Sequence, residues 1–103
     1  MNIQFSYKQV AERDKKFLEE YITKKIDRFK KLISENELEL GRLEIKTEKF
    51  AKKEAYKVEL FLSLPEHQFR ASEDDHTIIE AFDLALDKII IQLRKYKERL
   101  INS

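Results

Sequence analysis

The 103-residue chain has no cysteine, no tryptophan, one glycine and one proline. The absence of cysteine excludes disulfides, thiolate metal ligands and a cysteine nucleophile, and it fits a reducing cytoplasm. One glycine is too few for a glycine-rich loop that cradles phosphates. No apolar run approaches the roughly 20 residues that span a bilayer, and the N-terminus does not resemble a signal peptide. We therefore expect a soluble cytoplasmic protein with no membrane partner.

Groups suited to catalysis or metal binding are also scarce. The two histidines, His67 and His76, lie near Glu66 and Asp75, but no recognisable ligand spacing connects them, and histidines in polar turns are usually surface residues. No serine lies in a nucleophile motif. We expect no enzymatic activity, no metal, no cofactor and no small-molecule substrate.

Hydrophobic periodicity predicts the element order β-α-β-β-β-α. Alternating apolar residues predict four strands, near 2–7, 43–48, 56–64 and 68–72. Apolar residues three and four apart predict two amphipathic helices, over 14–33 with Asp14 as N-cap, and over 73–100 with an acidic first turn. Residues 34–37 form a polar break between the first helix and the second strand.

These elements predict an α+β fold. The last three strands can pair as an antiparallel meander, and both helices pack on one face of the four-stranded sheet. The length suits a single domain over residues 1–103 with one modest core.

Positive and negative charges nearly cancel, with 21 Lys and Arg against 20 Asp and Glu, but they are sorted along the chain. Residues 73–87 carry six carboxylates and no Lys or Arg, whereas residues 88–100 carry five Lys or Arg and one Glu. Two explanations stand side by side. The charges complement the dipole of the second helix, or they form a surface for a polyanion.

The cations of each predicted helix fall into a row. The first cationic row consists of Lys24, Arg28 and Lys31, flanked by Lys25 and Lys30. The second cationic row consists of Lys88, Gln92, Lys95 and Arg99, with Gln92 as its neutral member. If the helices lie side by side, the two rows could bracket a groove that suits phosphates. The competing interpretation is a solvated surface with ion pairs at helical spacing.

Some apolar residues of the second helix lie away from its main apolar stripe. They are Ile79, Leu84, Ile90 and Ile91. Additional packing against the first helix or the sheet explains them, and so does contact with a partner. The second explanation predicts a protein–protein regulatory module that acts through this face of the helix.

Two motifs at this separation resemble a known family. In the second helix, Ala81-Phe82-Asp83, Asp87-Lys88-Ile89 and the run from Gln92 to Lys97 resemble the patterns A-I-D, D-K-L and Q-L-x-K-x-K. In the first helix, the run from Tyr21 to Phe29 resembles Y-V-x-K-K-L-x-K-L. The family is that of the ribosome hibernation promoting factors, also called ribosome-associated inhibitor or sigma-54 modulation proteins. The likeness covers nearly the whole chain, and the family fold agrees with the predicted one.

The resemblance implies a bacterial translation inhibitor that binds the small ribosomal subunit and the whole ribosome. It would occupy the channel of messenger and transfer RNA in stress or stationary phase, without catalysis. The matched positions imply ribosomal RNA contacts at Lys24, Lys25, Arg28, Lys88, Gln92, Arg94, Lys95 and Lys97, to which the cationic rows add Lys31 and Arg99. The chain ends soon after the second helix, as in the short family form, so ribosome pairing would need a companion factor.

Overall fold

The computed structural model describes residues 1–102 and confirms the α+β class. Its strands are β1 (Asn2–Lys8), β2 (Arg42–Lys49), β3 (Tyr56–Leu64) and β4 (His67–Asp75). Its helices are α1 (Glu12–Lys25), α2 (Asp27–Lys30), α3 (Glu35–Leu40) and α4 (Ile78–Asn102). None of the helices within this described stretch is long and apolar enough to cross a membrane.

The sheet has the strand order β1-β2-β3-β4. Strands β2, β3 and β4 form the predicted antiparallel meander, whereas β1 pairs with β2 in parallel. A parallel pair needs a long crossover connection, and α1, α2 and α3 supply it. The register aligns Ile3, Leu43, Leu62 and Phe69 across the four strands, so one continuous apolar face results.

The helices cover this apolar face and enclose the core. Strand alternation buries Leu43, Ile45, Leu60 and Leu62, each at most 1% exposed. The helices contribute further large core side chains that are at most 2% exposed, which are Leu18, Ile22, Phe29, Phe82, Leu86, Ile89 and Leu93. The helical packing on one face is therefore as the apolar spacing predicted.

The first predicted helix is divided in the structure. α1 ends at Lys25, and Phe29 and Lys30 donate long hydrogen bonds of 3.3 and 3.4 Å to the Ile26 carbonyl. The predicted N-cap is wrong, because Ala11 occupies that position. Asp14 instead accepts a hydrogen bond of 3.1 Å from the Tyr56 hydroxyl, and burial together with this bond raises the pKa of Tyr56.

The short helix α3 begins within the predicted polar break over 34–37 and continues to Leu40. Its first turn closes with a capping box, in which Ser34 Oγ accepts from the Glu37 main-chain N–H at 3.1 Å. Glu37 Oε1 accepts from the Ser34 main-chain N–H at 2.8 Å. Gly41 follows at a close backbone approach, since a Cβ there would lie 2.6 Å from the Glu37 carbonyl oxygen. The spacing from Ser34 to Glu37 matches the Ser-x-x-Glu signature of a capping box.

The boundary between β4 and α4 also differs from the prediction. Glu73, Asp74 and Asp75 pair with Val58, Lys57 and Tyr56, and so they extend β4. The α4 helix begins after Thr77, whose Oγ1 accepts from the Glu80 N–H at 3.1 Å. The dipole explanation is therefore wrong for these three acidic residues, because they do not lie in the first turn of the helix.

Candidate nucleic-acid interface

The second cationic row lies on the flank of α4 that faces β4. Lys88 forms an ion pair with Glu73 of β4. Gln92 Nε2 donates a hydrogen bond of 2.8 Å to the main-chain carbonyl oxygen of Arg70. Lys95 and Arg99 continue the row along the same flank, where they line a notch with side chains of β4. This row therefore follows the edge of the sheet.

The opposite flank of α4 faces the other helices. The Tyr21 hydroxyl of α1 donates to the Asp83 carboxylate at 2.7 and 2.9 Å to its two oxygens. Burial and this hydrogen bond raise the pKa of Tyr21 to about 12. Arg28 Nη2 of α2 lies 2.9 Å from Asp87 Oδ1. A hydrogen bond from Tyr21 to Asp83 and an ion pair between Arg28 and Asp87 therefore connect α4 to the other helices.

The two cationic rows do not face each other across a groove. Arg28 of the first row contacts one flank of α4, whereas Lys88 of the second row contacts β4 from the other flank. The rows therefore lie on either side of the exposed ridge of α4. A helical wheel gives the angle between a row and the apolar stripe, but it does not tell which flank adjoins the neighbouring helix.

Ion pairing divides the predicted contact residues into two groups. Three of the cations have carboxylate partners, in the pairs Arg28–Asp87, Lys88–Glu73 and Lys97–Glu37. Within residues 1–102, six cations of the set have no carboxylate partner: Lys24, Lys25, Lys31, Arg94, Lys95 and Arg99. Of these, Lys25 Nζ lies 5.3 Å from the centre of the Tyr21 ring. These six cations could therefore contact a polyanion without first breaking an ion pair.

The Lys97–Glu37 pair joins the end of α4 to α3. Lys97 Nζ donates to Glu37 Oε1, and the two side chains are 30% and 18% exposed. Burial raises the pKa of Glu37, but the hydrogen bonds from Lys97 and Ser34 outweigh it and hold the pKa below its ordinary value. Lys97 therefore stabilises the fold, and its ammonium group is already engaged.

The uncovered face of the sheet differs from the helical side. Every Lys and Arg that the described residues place on it lies within 4.0 Å of a carboxylate. The pairs are Lys8–Glu48, Arg42–Glu44, Lys46–Glu44, Lys57–Glu59 and Arg70–Glu59. This face offers a polyanion little unpaired positive charge.

The apolar residues outside the main stripe of α4 behave differently from one another. Ile90 is buried and Ile79 packs partly against the core, as the packing explanation requires. Leu84 and Ile91 are 41% and 52% exposed. Because residues 84, 88, 91 and 95 are separated by four, three and four positions, the exposed apolar side chains alternate with Lys88 and Lys95.

Sequence reasoning missed His67, which it treated as a plain surface residue. In the structure the His67 ring stacks on Tyr96 of α4, with the centroids 4.6 Å apart and the planes 17° from parallel. The signal was weak, because nothing in the sequence near His67 indicated contact with a helix 29 positions further along. It also missed Asp83 and Asp87 as the residues that attach α4 to Tyr21 and Arg28.

Comparisons with known proteins agree with the fold and with the motifs. The model of the family described as Sigma 54 modulation protein / S30EA ribosomal protein matches residues 3–101. Among solved structures, the Protein Y N-terminal domain from Thermus thermophilus has a TM-score of 0.76 at 22% identity, over 93% of this chain and 99% of that one. A ribosomal subunit interface protein from Coxiella burnetii has a TM-score of 0.74 at 26% identity, over 95% and 99%. No curated protein matches the chain.

Proposed function

Because the chain belongs to the Sigma 54 modulation protein / S30EA ribosomal protein family, we propose that it is a hibernation factor that binds ribosomal RNA of the small subunit. The match of the family model to residues 3–101 confirms the resemblance seen in the sequence, and the chain is a ribosome-associated protein. The proposed site is the channel of messenger and transfer RNA. Occupancy of that channel blocks translation in the cytoplasm during stress or stationary phase, and no reaction is catalysed.

The observation that supports this proposal is the set of unpaired cations on the helical side. Six of the predicted contact cations have no carboxylate partner within residues 1–102, so binding to phosphates would break no ion pair of theirs. Contacts between cations and phosphates release counterions, which gives affinity that falls with salt. The exposed Arg28–Asp87 pair adds little stability and can be exchanged for a phosphate.

Co-sedimentation with purified ribosomes and separated subunits tests the proposal. The wild type should migrate with the small subunit and the whole ribosome at low salt and dissociate as salt rises. Lys24→Gln with Arg94→Gln removes two unpaired charges, so the plot of log affinity against log salt should become shallower by roughly 1 to 2.

The matched control is Lys8→Gln with Lys46→Gln, which makes the same change in net charge on the uncovered sheet face. Its binding should equal that of the wild type, since both lysines lie beside carboxylates. If the wild type is absent from every ribosomal fraction at low salt, the proposed function is wrong. If both double variants weaken binding equally, the assignment of the helical face is wrong.

A second candidate function is a protein–protein regulatory module, which the exposure of Leu84 and Ile91 favours. Leu84→Gln with Ile91→Gln separates the two functions. It removes the apolar surface without adding charge beside Lys88 and Lys95. Ribosome binding should persist if RNA is the partner, and binding of a protein partner should be lost if these side chains form the interface. Phe17→Gln, at an apolar residue of α1 that is 55% exposed, is the control.

A further inference from the structure

A small notch lies where the end of α4 passes the start of β4. It has a volume of about 200 Å³ and is lined by His67, Phe69, Gln92, Lys95, Tyr96 and Arg99. Drug-sized ligands and cofactors occupy pockets of roughly 300–1,000 Å³. The notch is therefore suited to one ring system and not to a whole cofactor.

The walls of the notch are fixed by packing. Phe69 is 4% exposed and meets both other rings edge-on, at 4.7 Å from the His67 centroid and 5.6 Å from the Tyr96 centroid. Gln92 attaches α4 to the main chain of Arg70. The ring of His67 is consequently held in one orientation although the residue is exposed.

The notch combines an aromatic surface with unpaired positive charge. Tyr96 stacks on one face of the His67 ring and Phe69 meets the ring edge-on, yet the residue as a whole is exposed to solvent. Lys95 and Arg99 have no carboxylate partner within residues 1–102. A flat base next to a phosphate is the ligand that needs an aromatic face and a cation together.

We propose that this notch binds one unstacked nucleotide of single-stranded RNA, with its base on the His67 ring and its phosphate between Lys95 and Arg99. The inference rests on the proposed function and adds to it a contact that phosphate binding alone does not provide. Single-stranded loops of RNA are where proteins reach bases by stacking on aromatic side chains. A free mononucleotide carries the same chemistry, so the tests below separate the two sources.

The first test measures ribosome affinity of His67→Ala. Loss of a stacked base on alanine substitution should weaken binding by roughly tenfold. His67→Phe keeps a ring without an imidazole and should bind within threefold of the wild type, which distinguishes stacking from charge. His76→Ala, at the other histidine, is the control and should bind normally. Wild-type affinity of His67→Ala would overturn the proposal and leave the proposed function intact.

The second test needs no ribosome and uses the whole chain. The imidazole signals of His67 are followed by NMR during titration with a five-nucleotide single-stranded RNA, an abasic oligomer of the same length, and adenosine monophosphate. The RNA should shift the His67 signals, the abasic oligomer should not, and the mononucleotide should act only at much higher concentration. The His76 signals should stay in place.

Each other outcome has a definite meaning. Equal shifts with RNA and the abasic oligomer, or none with either, would overturn the stacking role. Equal potency of adenosine monophosphate would show that the notch takes a free nucleotide, and RNA would be the wrong source. Shifts with RNA in a protein that does not co-sediment with ribosomes would retain the notch and reject the proposed function.

Discussion

The uncovered face of the sheet and the helical side both carry many cations, but among the described residues only the sheet face pairs every one of them with a carboxylate. The sheet places Glu44 between Arg42 and Lys46, and Glu59 contacts both Lys57 and Arg70. On the helical side the predicted contact set keeps six cations without a carboxylate partner in the described part of the chain. A net charge of +1 hides this difference completely.

The cause of the difference is periodicity. In a strand, residues two apart share a face, so alternating acids and bases meet along the strand and across to the next one. In α4, carboxylates that would pair with the late cations must lie three or four positions away. Residues 88–100 contain a single carboxylate, Glu98, and within the described residues it forms no ion pair. The two cations of this stretch that are paired, Lys88 and Lys97, take their carboxylates from β4 and α3.

The largest effect should come from giving cations of the helical side nearby carboxylates, like those on the sheet face. Leu84→Glu with Ile91→Glu places carboxylates four residues before Lys88 and Lys95, a favourable spacing for ion pairs. We expect ribosome affinity to fall by roughly a hundredfold in near-physiological salt, because the new carboxylates repel phosphates and one of them gives the otherwise unpaired Lys95 a partner. Co-sedimentation measures this, with Leu84→Gln and Ile91→Gln as the uncharged control. Equal binding by the two double variants would contradict the charge argument.

A second prediction concerns how each side is held together, since the sheet has a main-chain ladder and the helices have side-chain contacts. Tyr21→Phe removes the hydrogen bond to Asp83 and should lower the free energy of unfolding by about 1–2 kcal/mol. Urea unfolding gives the value. Tyr7→Phe, which removes the exposed hydrogen bond to Glu19, should cost less. Equal decreases in the free energy of unfolding for the two variants would contradict a larger contribution from the contact between the helices.

A third, smaller effect is the pH dependence of the α3–α4 contact. The pKa of Glu37 is lower in the folded than in the unfolded protein, so its contribution to stability is present above the unfolded pKa of about 4.3 and is lost as pH falls through the folded pKa. Glu37→Gln should therefore be less stable than the wild type at pH 7, and the difference should shrink at pH 3. Denaturant titrations at both pH values measure this. The exposed Glu39→Gln is the control, and a constant difference would refute the linkage.

The smallest effect should come from the sheet face itself. Lys8 is 72% exposed and lies 3.5 Å from Glu48, so Lys8→Gln should change the free energy of unfolding by at most about 0.5 kcal/mol. The melting temperature and ribosome binding should both stay close to wild type. A clear loss of ribosome binding would mean that this face also contacts RNA.

The sequence predicted correctly those elements whose local hydrophobic pattern is strong. Alternation around Leu60 and Leu62 predicted β3 with its observed bounds, and the three-and-four spacing identified α1 and α4. Asp14 was misplaced because its partner, Tyr56, is 42 residues away. The prediction that Glu73 lies in a helix is wrong because its strand pairing with Val58 depends on contacts between residues distant in sequence.

The candidate site was predictable in composition but not in arrangement. Spacing grouped Lys88, Lys95 and Arg99, yet it could not tell that they adjoin β4 and not the first helix. Which cations are free depends on distant carboxylates, as with Glu37 and Lys97. The stacking of His67 on Tyr96 likewise depends on the tertiary structure, because one residue begins β4 and the other lies near the end of α4.

The hydrogen bond from Gln92 to the Arg70 carbonyl also bears on self-association. β4 is an edge strand, and an open edge can recruit a strand from another molecule and start aggregation. By taking that carbonyl group, and by placing Lys88 and Arg99 along the same border, α4 obstructs the approach of a foreign strand. The helix side chains that line the proposed RNA contact thus also protect the edge of the sheet, so their replacement affects solubility as well as binding.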